Sequence, residues 1–121
     1  YVFADFVTYP SLWEGWGNQL LEAFRARLPV MLFEYPVYNA DIGTKGFQVV
    51  SLGADVEGYD QSGLARVQAQ IHARAAEQAV ELLTNPEERQ NAVEQNFRLG
   101  QKYYSMDALR DILGKLMNDQ I

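Results

Sequence analysis

The chain has 121 residues, of which 48% are hydrophobic and 21% charged, as expected for one globular domain or part of one. Its formal net charge of −6 argues against binding to nucleic acid or to an anionic membrane through bulk electrostatics, although local backbone N–H groups could still hold a small anion. The sequence has no cysteine, which excludes disulfides and thiolate metal sites.

No apolar run is long enough to span a membrane, and no basic segment followed by an apolar one opens the chain as a signal peptide would. We therefore expect a cytoplasmic protein without a transmembrane segment. The sequence begins without methionine and passes almost directly into an apolar strand. We interpret this beginning as the sign of a piece cut from a longer protein.

The first half of the chain is predicted to form a βαβ unit followed by a third strand. Residues 6–9 (FVTY) are mostly β-branched or aromatic and end at a proline, which is typical of a short strand. Apolar residues at helical spacing predict a helix over 18–26, and residues 30–33 (VMLF) are predicted to form the next strand. Such a unit implies parallel strands with a right-handed crossover. A short helix near 39–42 and a third strand over 47–52 (FQVVSL) follow.

The second half is predicted to be helical. An apolar stripe at helical spacing begins at Leu64. The sequence NPEE is a strong helix start, because Asn85 can cap the helix, the proline suits its first position and Glu88 can complete a capping box. Ser105 is predicted to open a final helix. The apolar face of that helix consists of Met106, Leu109, Ile112, Leu113 and Leu116. The predicted class is α/β, with parallel strands and a helical C-terminal tail.

Two glutamates eight residues apart, Glu14 and Glu22, flank a Gly-Trp-Gly turn after the first strand, an E-x7-E spacing. In open parallel sheets, ligands bind at the carboxyl ends of the strands, where the next helix presents unpaired N–H groups and a positive dipole end. Gly15 and Gly17 would allow positive φ and a close approach to a ligand. Phosphates would bind the N–H groups, and the carboxylates would accept hydrogen bonds from sugar hydroxyls. Alternatively, both glutamates are ordinary acids near a helix start, since this spacing is common by chance.

The stretch PSLWEGWGNQLLEAFRARLPV, residues 10–30, resembles the signature of the retaining nucleotide-sugar glycosyltransferases of family 4. That signature has the form P-S-x-x-E-G-F/W-G-x-x-x-L-E-A-M/F-A-x-G-x-P-V. The matching positions are Pro10, Ser11, Glu14, Gly15, Trp16, Gly17, Leu21, Glu22, Ala23, Phe24, Pro29 and Val30. The resemblance covers essentially the whole chain, because its ending also resembles that of the family.

The resemblance implies a GT-B fold, in which two Rossmann-like domains face each other across a cleft. Residues 1–121 would be the C-terminal portion of the second, donor-nucleotide-binding domain, a Rossmann-like half-domain. A terminal helix near 105–119 would cross back to an N-terminal domain that lies outside the sequence. The Arg and Lys that clamp the diphosphate in this family lie upstream of such a segment, so the site is expected to be incomplete.

The resemblance also implies roles for individual residues. Glu14 would contact the donor sugar as the catalytic residue, and Glu22 would hold the ribose 2′- and 3′-hydroxyls. Trp16 would pack to hold the turn in place. The backbone N–H groups that bind the donor sugar and the distal phosphate would be those of Gly15, Trp16, Gly17, Asn18 and Gln19. No metal and no cofactor is expected, because the nucleoside diphosphate sugar is itself the donor substrate.

The sequence departs from the family pattern after the first helix. Arg27 stands where the family has glycine, and a left-handed cap is harder for arginine, so the helix end is expected to differ. The family's glycine pair falls on Pro36 and Val37. The acidic residue that usually follows the pair is either missing or is Asp41, one position along, which otherwise reads as a loop or capping carboxylate.

Four further residues have simpler interpretations. His72, the single histidine, is interpreted as a surface or satisfied helix histidine rather than a catalytic base. Tyr103, Tyr104 and Phe97 recur at helical spacing and are interpreted as packing residues rather than a stacking platform.

The sequence therefore predicts the donor-binding part of a retaining hexosyltransferase. Such an enzyme moves a hexosyl group from a nucleoside diphosphate sugar to a hydroxyl of a sugar, lipid or small-molecule acceptor. The isolated chain is expected to fold, to be inactive, and to self-associate as a homodimer through an unpaired strand edge or the final helix. A non-catalytic nucleotide-sugar-binding or scaffold domain stays open as an alternative. A phosphoacceptor receiver domain is excluded, because the first strand ends in TYPS rather than in its acidic pair.

Overall fold

A computed structural model describes residues 1–119 of the chain. Three parallel strands form a sheet in the order β1-β2-β3, with β1 at Val7–Tyr9, β2 at Val30–Leu32 and β3 at Val50–Ser51. β2 therefore lies in the centre, and within the described residues β1 and β3 are both edge strands. The predicted α/β class with parallel strands is confirmed, and the arrangement is consistent with a Rossmann-like half-domain.

The helices alternate with the strands and then continue alone. α1 (Asn18–Arg25) connects β1 to β2, and α2 (Pro36–Ala40) with a 3-10 helix (Ile42–Lys45) connects β2 to β3. The C-terminal segment consists of α3 (Ala69–Thr84), α4 (Pro86–Tyr104) and α5 (Met106–Asn118). The predicted helical tail is confirmed. No helix within residues 1–119 has the length and apolar character needed to cross a bilayer.

The apolar stripe predicted from Leu64 onward is wrong in its first turn. An antiparallel hairpin of β4 (Gly58–Tyr59) and β5 (Ala65–Arg66) occupies this region, and α3 begins only after it. In the turn, Asp60 Oδ1 accepts the backbone N–H groups of Ser62 at 2.8 Å and Leu64 at 2.9 Å. Such local aspartate bonds favour a turn over a helix, and they override the apolar spacing here.

The short helix predicted near residues 39–42 begins earlier than expected. α2 starts at Pro36, whose fixed φ suits the first helical position, and it ends before Asp41. The 3-10 helix follows directly. A helical segment in this connection is confirmed, but the predicted bounds are wrong.

The core lies between the sheet, α1 and the first connections. Phe24 of α1 stacks on Phe47 with ring centroids 4.5 Å apart and an interplanar angle of 10°. The buried cluster consists of Tyr9, Leu20, Ala23, Phe24, Val30, Leu32, Tyr35, Tyr38, Ile42 and Phe47. Because this cluster holds α1 against the sheet, the start of α1 is fixed at the edge where β1 ends.

A buried asparagine joins α4 to the segment that leads into β3. Asn96 is 1% exposed, and its Nδ2 donates to the backbone carbonyl of Gln48 at 2.8 Å. Its Oδ1 accepts the backbone N–H of the same residue at 2.7 Å. Asn96 thereby satisfies both polar backbone groups of Gln48, which a neighbouring strand would otherwise do.

The end of α1 adopts a left-handed conformation although its residue is arginine. Arg27 has a φ of 55°, and the N–H groups of Arg27 and Leu28 each donate to a carbonyl of the last turn at 3.1 Å, the Schellman pattern. Arg27 Nε donates to Glu94 Oε1 at 2.7 Å, and its guanidinium lies 3.6 Å from the ring centroid of Phe97. The expectation of a different helix end is therefore wrong, because contacts with α4 offset the backbone cost.

The predicted starts of the last two helices are confirmed. Asn85 accepts the N–H of Glu88 at 3.3 Å, and Ser105 accepts the N–H of Ala108 at 3.0 Å. No residue of α5 is buried within the described part of the chain. Its exposed apolar side chains are Met106, Leu109, Ile112, Leu113, Leu116 and Met117.

Candidate ligand site at the carboxyl edge of the sheet

The three parallel strands end along one edge of the sheet. The loop after β1 runs over residues 10–17 and enters α1. Glu34 lies two residues beyond the end of β2, and Gly53 lies two residues beyond the end of β3. In open α/β sheets this edge is the usual place of ligand binding.

Gly17 ends the loop in a conformation that only glycine adopts readily, with a φ of 127°. A Cβ atom at this position would lie 2.3 Å from the hydroxyl oxygen of Tyr35. That hydroxyl donates to the backbone carbonyl of Trp16 at 2.6 Å. The expectation of positive φ is thus confirmed for Gly17. It is wrong for Gly15, which does not have positive φ. A Cβ on Gly15 would meet no described atom within 4 Å.

The start of α1 leaves its backbone N–H groups without a side-chain cap among residues 1–119. Gly17 occupies the N-cap position, and the exposed residues Asn18 and Gln19 form the first turn. Uncapped N–H groups at the positive end of a helix dipole are suited to an anionic oxygen.

The two predicted glutamates each lie beside a tyrosine. Glu14 is half-buried near Tyr9, and burial together with the Glu14 charge raises the pKa of Tyr9. Glu22 is exposed near Tyr1, and burial together with the Glu22 charge raises the pKa of Tyr1. Gln19 links the two tyrosines. The Tyr1 hydroxyl donates to the Gln19 backbone carbonyl at 3.2 Å, and the Tyr9 hydroxyl donates to Gln19 Oε1 at 3.4 Å.

The structure therefore brings all the predicted site residues onto one loop and one helix start. These residues are Glu14, Gly15, Trp16, Gly17, Asn18, Gln19 and Glu22. Carboxylates at both ends of a row of free N–H groups can accept hydroxyl hydrogen bonds while the N–H groups bind an anion. At Gly15 the backbone is open, since a Cβ atom there would meet no described atom within 4 Å.

Asp41 is bonded to this loop, which its position in the sequence did not indicate. Its Oδ2 accepts the Trp16 indole N–H at 3.1 Å, and its Oδ1 accepts the Tyr104 hydroxyl at 3.1 Å. Lys45 Nζ lies 3.6 Å from the same oxygen. The Trp16 bond is the main reason that the pKa of Asp41 lies below its usual value. The side chain caps neither neighbouring helix, so the capping interpretation is wrong.

Glu34 is a candidate that the sequence reasoning missed. Its Oε1 accepts the Ser51 hydroxyl at 2.6 Å, and its backbone N–H donates to the carbonyl of Gly53 at 2.8 Å. Burial raises the pKa of Tyr38 to about 12, with a further contribution from the charge of Glu34. The available signal was its position directly after the second apolar strand, at the same edge as the loop.

The remaining candidates have the simpler roles expected of them. His72 is exposed on α3. Tyr104 packs on Phe47 with ring centroids 6.2 Å apart, and Phe97 lies under the guanidinium of Arg27. Among residues 1–119 no group of three or more acidic or histidine side chains is arranged to hold a metal ion.

Two curated proteins are similar to this chain. It is 46% identical over 115 residues to the mannosylglucosylglycerate synthase of Thermotoga maritima and 43% identical over 110 residues to that of Petrotoga mobilis. The alignments cover 95% and 91% of this chain but 26% and 25% of the relatives. No protein-family model and no solved structure matches. The chain thus spans about a quarter of the length of the curated relatives it matches, and the similarity is to that quarter of each relative.

Proposed function

We propose that the chain is the donor-binding part of a retaining glycosyltransferase with a GT-B fold. The whole protein would move a hexosyl group from a nucleoside diphosphate sugar to an acceptor hydroxyl and act in the cytoplasm. The relatives are named mannosylglucosylglycerate synthase, so glucosylglycerate is the first acceptor to test. The chain alone would bind the donor but would not transfer its sugar. The residues that clamp the diphosphate and the domain that binds the acceptor would be supplied by the rest of the protein.

One observation carries the proposal. Glu14 and Glu22 flank the uncapped start of α1 at the carboxyl edge of a parallel sheet, and their spacing is that of the family signature. A nucleoside diphosphate sugar presents a matching order of groups, with a sugar at one end, an anionic diphosphate in the middle and a ribose diol at the other end. Glu14 would take the sugar, the N–H groups the distal phosphate, and Glu22 the ribose.

Transfer requires that the diphosphate leave with its developing negative charge stabilised. Fixed N–H groups at a helix start provide that stabilisation without reorganising during the reaction. Glu14 would accept a hydrogen bond from a hydroxyl of the transferred sugar. This bond would hold the anomeric carbon in place against the acceptor. Retention of configuration belongs to the proposal through the family resemblance.

Glu22→Ala in the full-length protein is expected to weaken binding of the nucleoside diphosphate by about 1.5–3 kcal/mol, the range for hydrogen bonds to a charged group. The reason is that Glu22 would accept hydrogen bonds from both ribose hydroxyls. Isothermal titration with the nucleoside diphosphate measures the effect. Glu77→Ala is the matched control, since Glu77 is an exposed glutamate on α3. Equal affinity of the Glu22 variant and the parent would contradict the assignment.

Glu14→Gln is expected to lower kcat more than it changes affinity for the donor nucleotide. Glu14 would contact the transferred sugar, and contacts that strengthen in the transition state appear in kcat. Steady-state kinetics with a panel of nucleoside diphosphate hexoses measures both constants. A raised donor KM with intact kcat would show that Glu14 only binds. Donor binding by the parent without any transfer would favour the scaffold alternative.

The isolated chain is expected to self-associate, most simply as a dimer through α5. The exposed apolar face of α5 would gain burial against a second copy, and in the full-length protein it would pack against the N-terminal domain. Sedimentation velocity at several concentrations measures the association. Leu113→Glu, which replaces a half-exposed leucine in that face, should shift the chain toward monomer. A parent chain that stays monomeric throughout would contradict this expectation.

A further inference from the structure

Trp16 is held at both its side chain and its backbone. Its indole Nε1 donates to Asp41 Oδ2 at 3.1 Å, and its backbone carbonyl accepts the hydroxyl of Tyr35 at 2.6 Å. Trp16 lies two residues after Glu14 and two residues before Asn18, the first residue of α1. Any movement of this tryptophan must therefore displace the loop that carries Glu14.

The same carboxylate also reaches the end of α4. Asp41 Oδ1 accepts the hydroxyl of Tyr104, the last residue of that helix, at 3.1 Å. The rings of Trp16 and Tyr104 meet edge to face, with centroids 5.4 Å apart and planes at 75°. Three segments far apart in the chain thus converge on one carboxylate.

We propose that Asp41 is a positioning residue that acts through Trp16 to fix the Glu14 loop and couples that loop to the junction of α4 and α5. The proposal rests on the proposed transferase function for its kinetic consequence. Because of this coupling, the position of the loop that carries Glu14 depends on the position of α4 and α5.

The chemistry of the cluster calls for a carboxylate. Two donors, an indole N–H and a phenol O–H, converge on two acceptor oxygens, and an ionised aspartate satisfies both. An asparagine keeps one acceptor oxygen and turns its amide N–H₂ toward the other partner. The ion pair with Lys45 adds little, because the Asp41 side chain is 42% exposed and the two atoms are 3.6 Å apart.

The test compares Asp41→Ala and Asp41→Asn in the full-length protein, with Asp55→Ala as the control for loss of an exposed aspartate. Asp41→Ala is expected to lower kcat by about 10- to 100-fold, since small displacements of catalytic groups have effects of that order. Its affinity for the nucleoside diphosphate should change less than about threefold, because Glu22 and the helix start remain in place. Asp41→Asn should recover part of kcat. An equal loss in both constants, or no loss in kcat, would overturn the proposal.

A double-mutant cycle with Trp16→Phe tests whether Asp41 acts through the tryptophan. Phenylalanine keeps a ring against Tyr104 but lacks the indole N–H. Asp41→Ala should then add little to the loss caused by Trp16→Phe. Full additivity of the two losses would show that Asp41 acts by another route.

A ligand-free measurement separates this inference from the proposed function. In Asp41→Ala, hydrogen exchange of the backbone amides in residues 13–17 and at the end of α4 should become faster, while exchange in β2 stays unchanged. Unchanged exchange at the loop would overturn the proposal whatever the activity. If the parent transfers no sugar, the proposed function fails, and the exchange result still decides whether Asp41 holds the loop.

Discussion

Replacing Gly17 by alanine is expected to lower the free energy of unfolding by about 3 kcal/mol or more, because two penalties combine. A non-glycine residue in a sparsely populated positive-φ conformation costs about 1–3 kcal/mol. Overpacking costs about the same again, since the new Cβ would lie 2.3 Å from the Tyr35 hydroxyl oxygen, itself bonded to Trp16. Urea unfolding of the parent and the variant measures the difference.

Gly15→Ala is the matched control for this prediction. Gly15 does not have positive φ, and a Cβ there meets no described atom within 4 Å, so stability should change by less than about 0.5 kcal/mol. If Gly15 borders the donor, the same substitution should weaken donor binding without affecting folding. A Gly17→Ala protein as stable as the parent would show that the loop can adopt a second conformation.

Asn96→Ala is expected to destabilise the protein by about 2–4 kcal/mol. The substitution leaves the N–H and the carbonyl of Gln48 without their partners and opens a space at a residue that is 1% exposed. An unpaired polar group in a partly buried place costs about 1–3 kcal/mol. Thermal and urea unfolding measure the loss.

Gln95→Ala provides the control for Asn96. Gln95 also lies on α4, and its Nε2 donates to the carbonyl of Gly46 at 2.8 Å, but the bond is exposed. Water can replace an exposed partner, so the change should stay below about 1 kcal/mol. Comparable losses of unfolding free energy in the two variants would show that burial of the hydrogen bond does not determine how much its removal destabilises the protein.

The sequence was sufficient for those parts of the fold that depend on local signals. Residues 30–33 are apolar throughout, and Val30–Leu32 form the central strand. Asn85 and Ser105 cap the helices that they were predicted to open. The glycine turn before α1 could likewise be predicted, because Gly17 has the positive φ expected of it. Each of these features depends on a few consecutive residues.

What could not be predicted depends on partners distant in the sequence. Leu64 fits a helical stripe by spacing, but the aspartate-stabilised turn before it decided the outcome. Asp41 bonds Trp16 and Tyr104, which are 25 and 63 residues away, so no local pattern links them. Glu34 gains its bond to Ser51 only when β2 and β3 pair.

The left-handed end of α1 has a consequence for the order of folding. Arg27 is held in this conformation by Glu94, 67 residues further along the chain, and by the ring of Phe97. During synthesis, the end of α1 leaves the ribosome long before α4 exists, and until then the contacts with α4 that offset the backbone strain are missing. The last turn of α1 should therefore fray in the nascent chain and become ordered only when α4 docks. Arg27→Gly should relieve that early strain and speed the ordering of α1, while the finished protein loses the Arg27 contacts with Glu94 and Phe97.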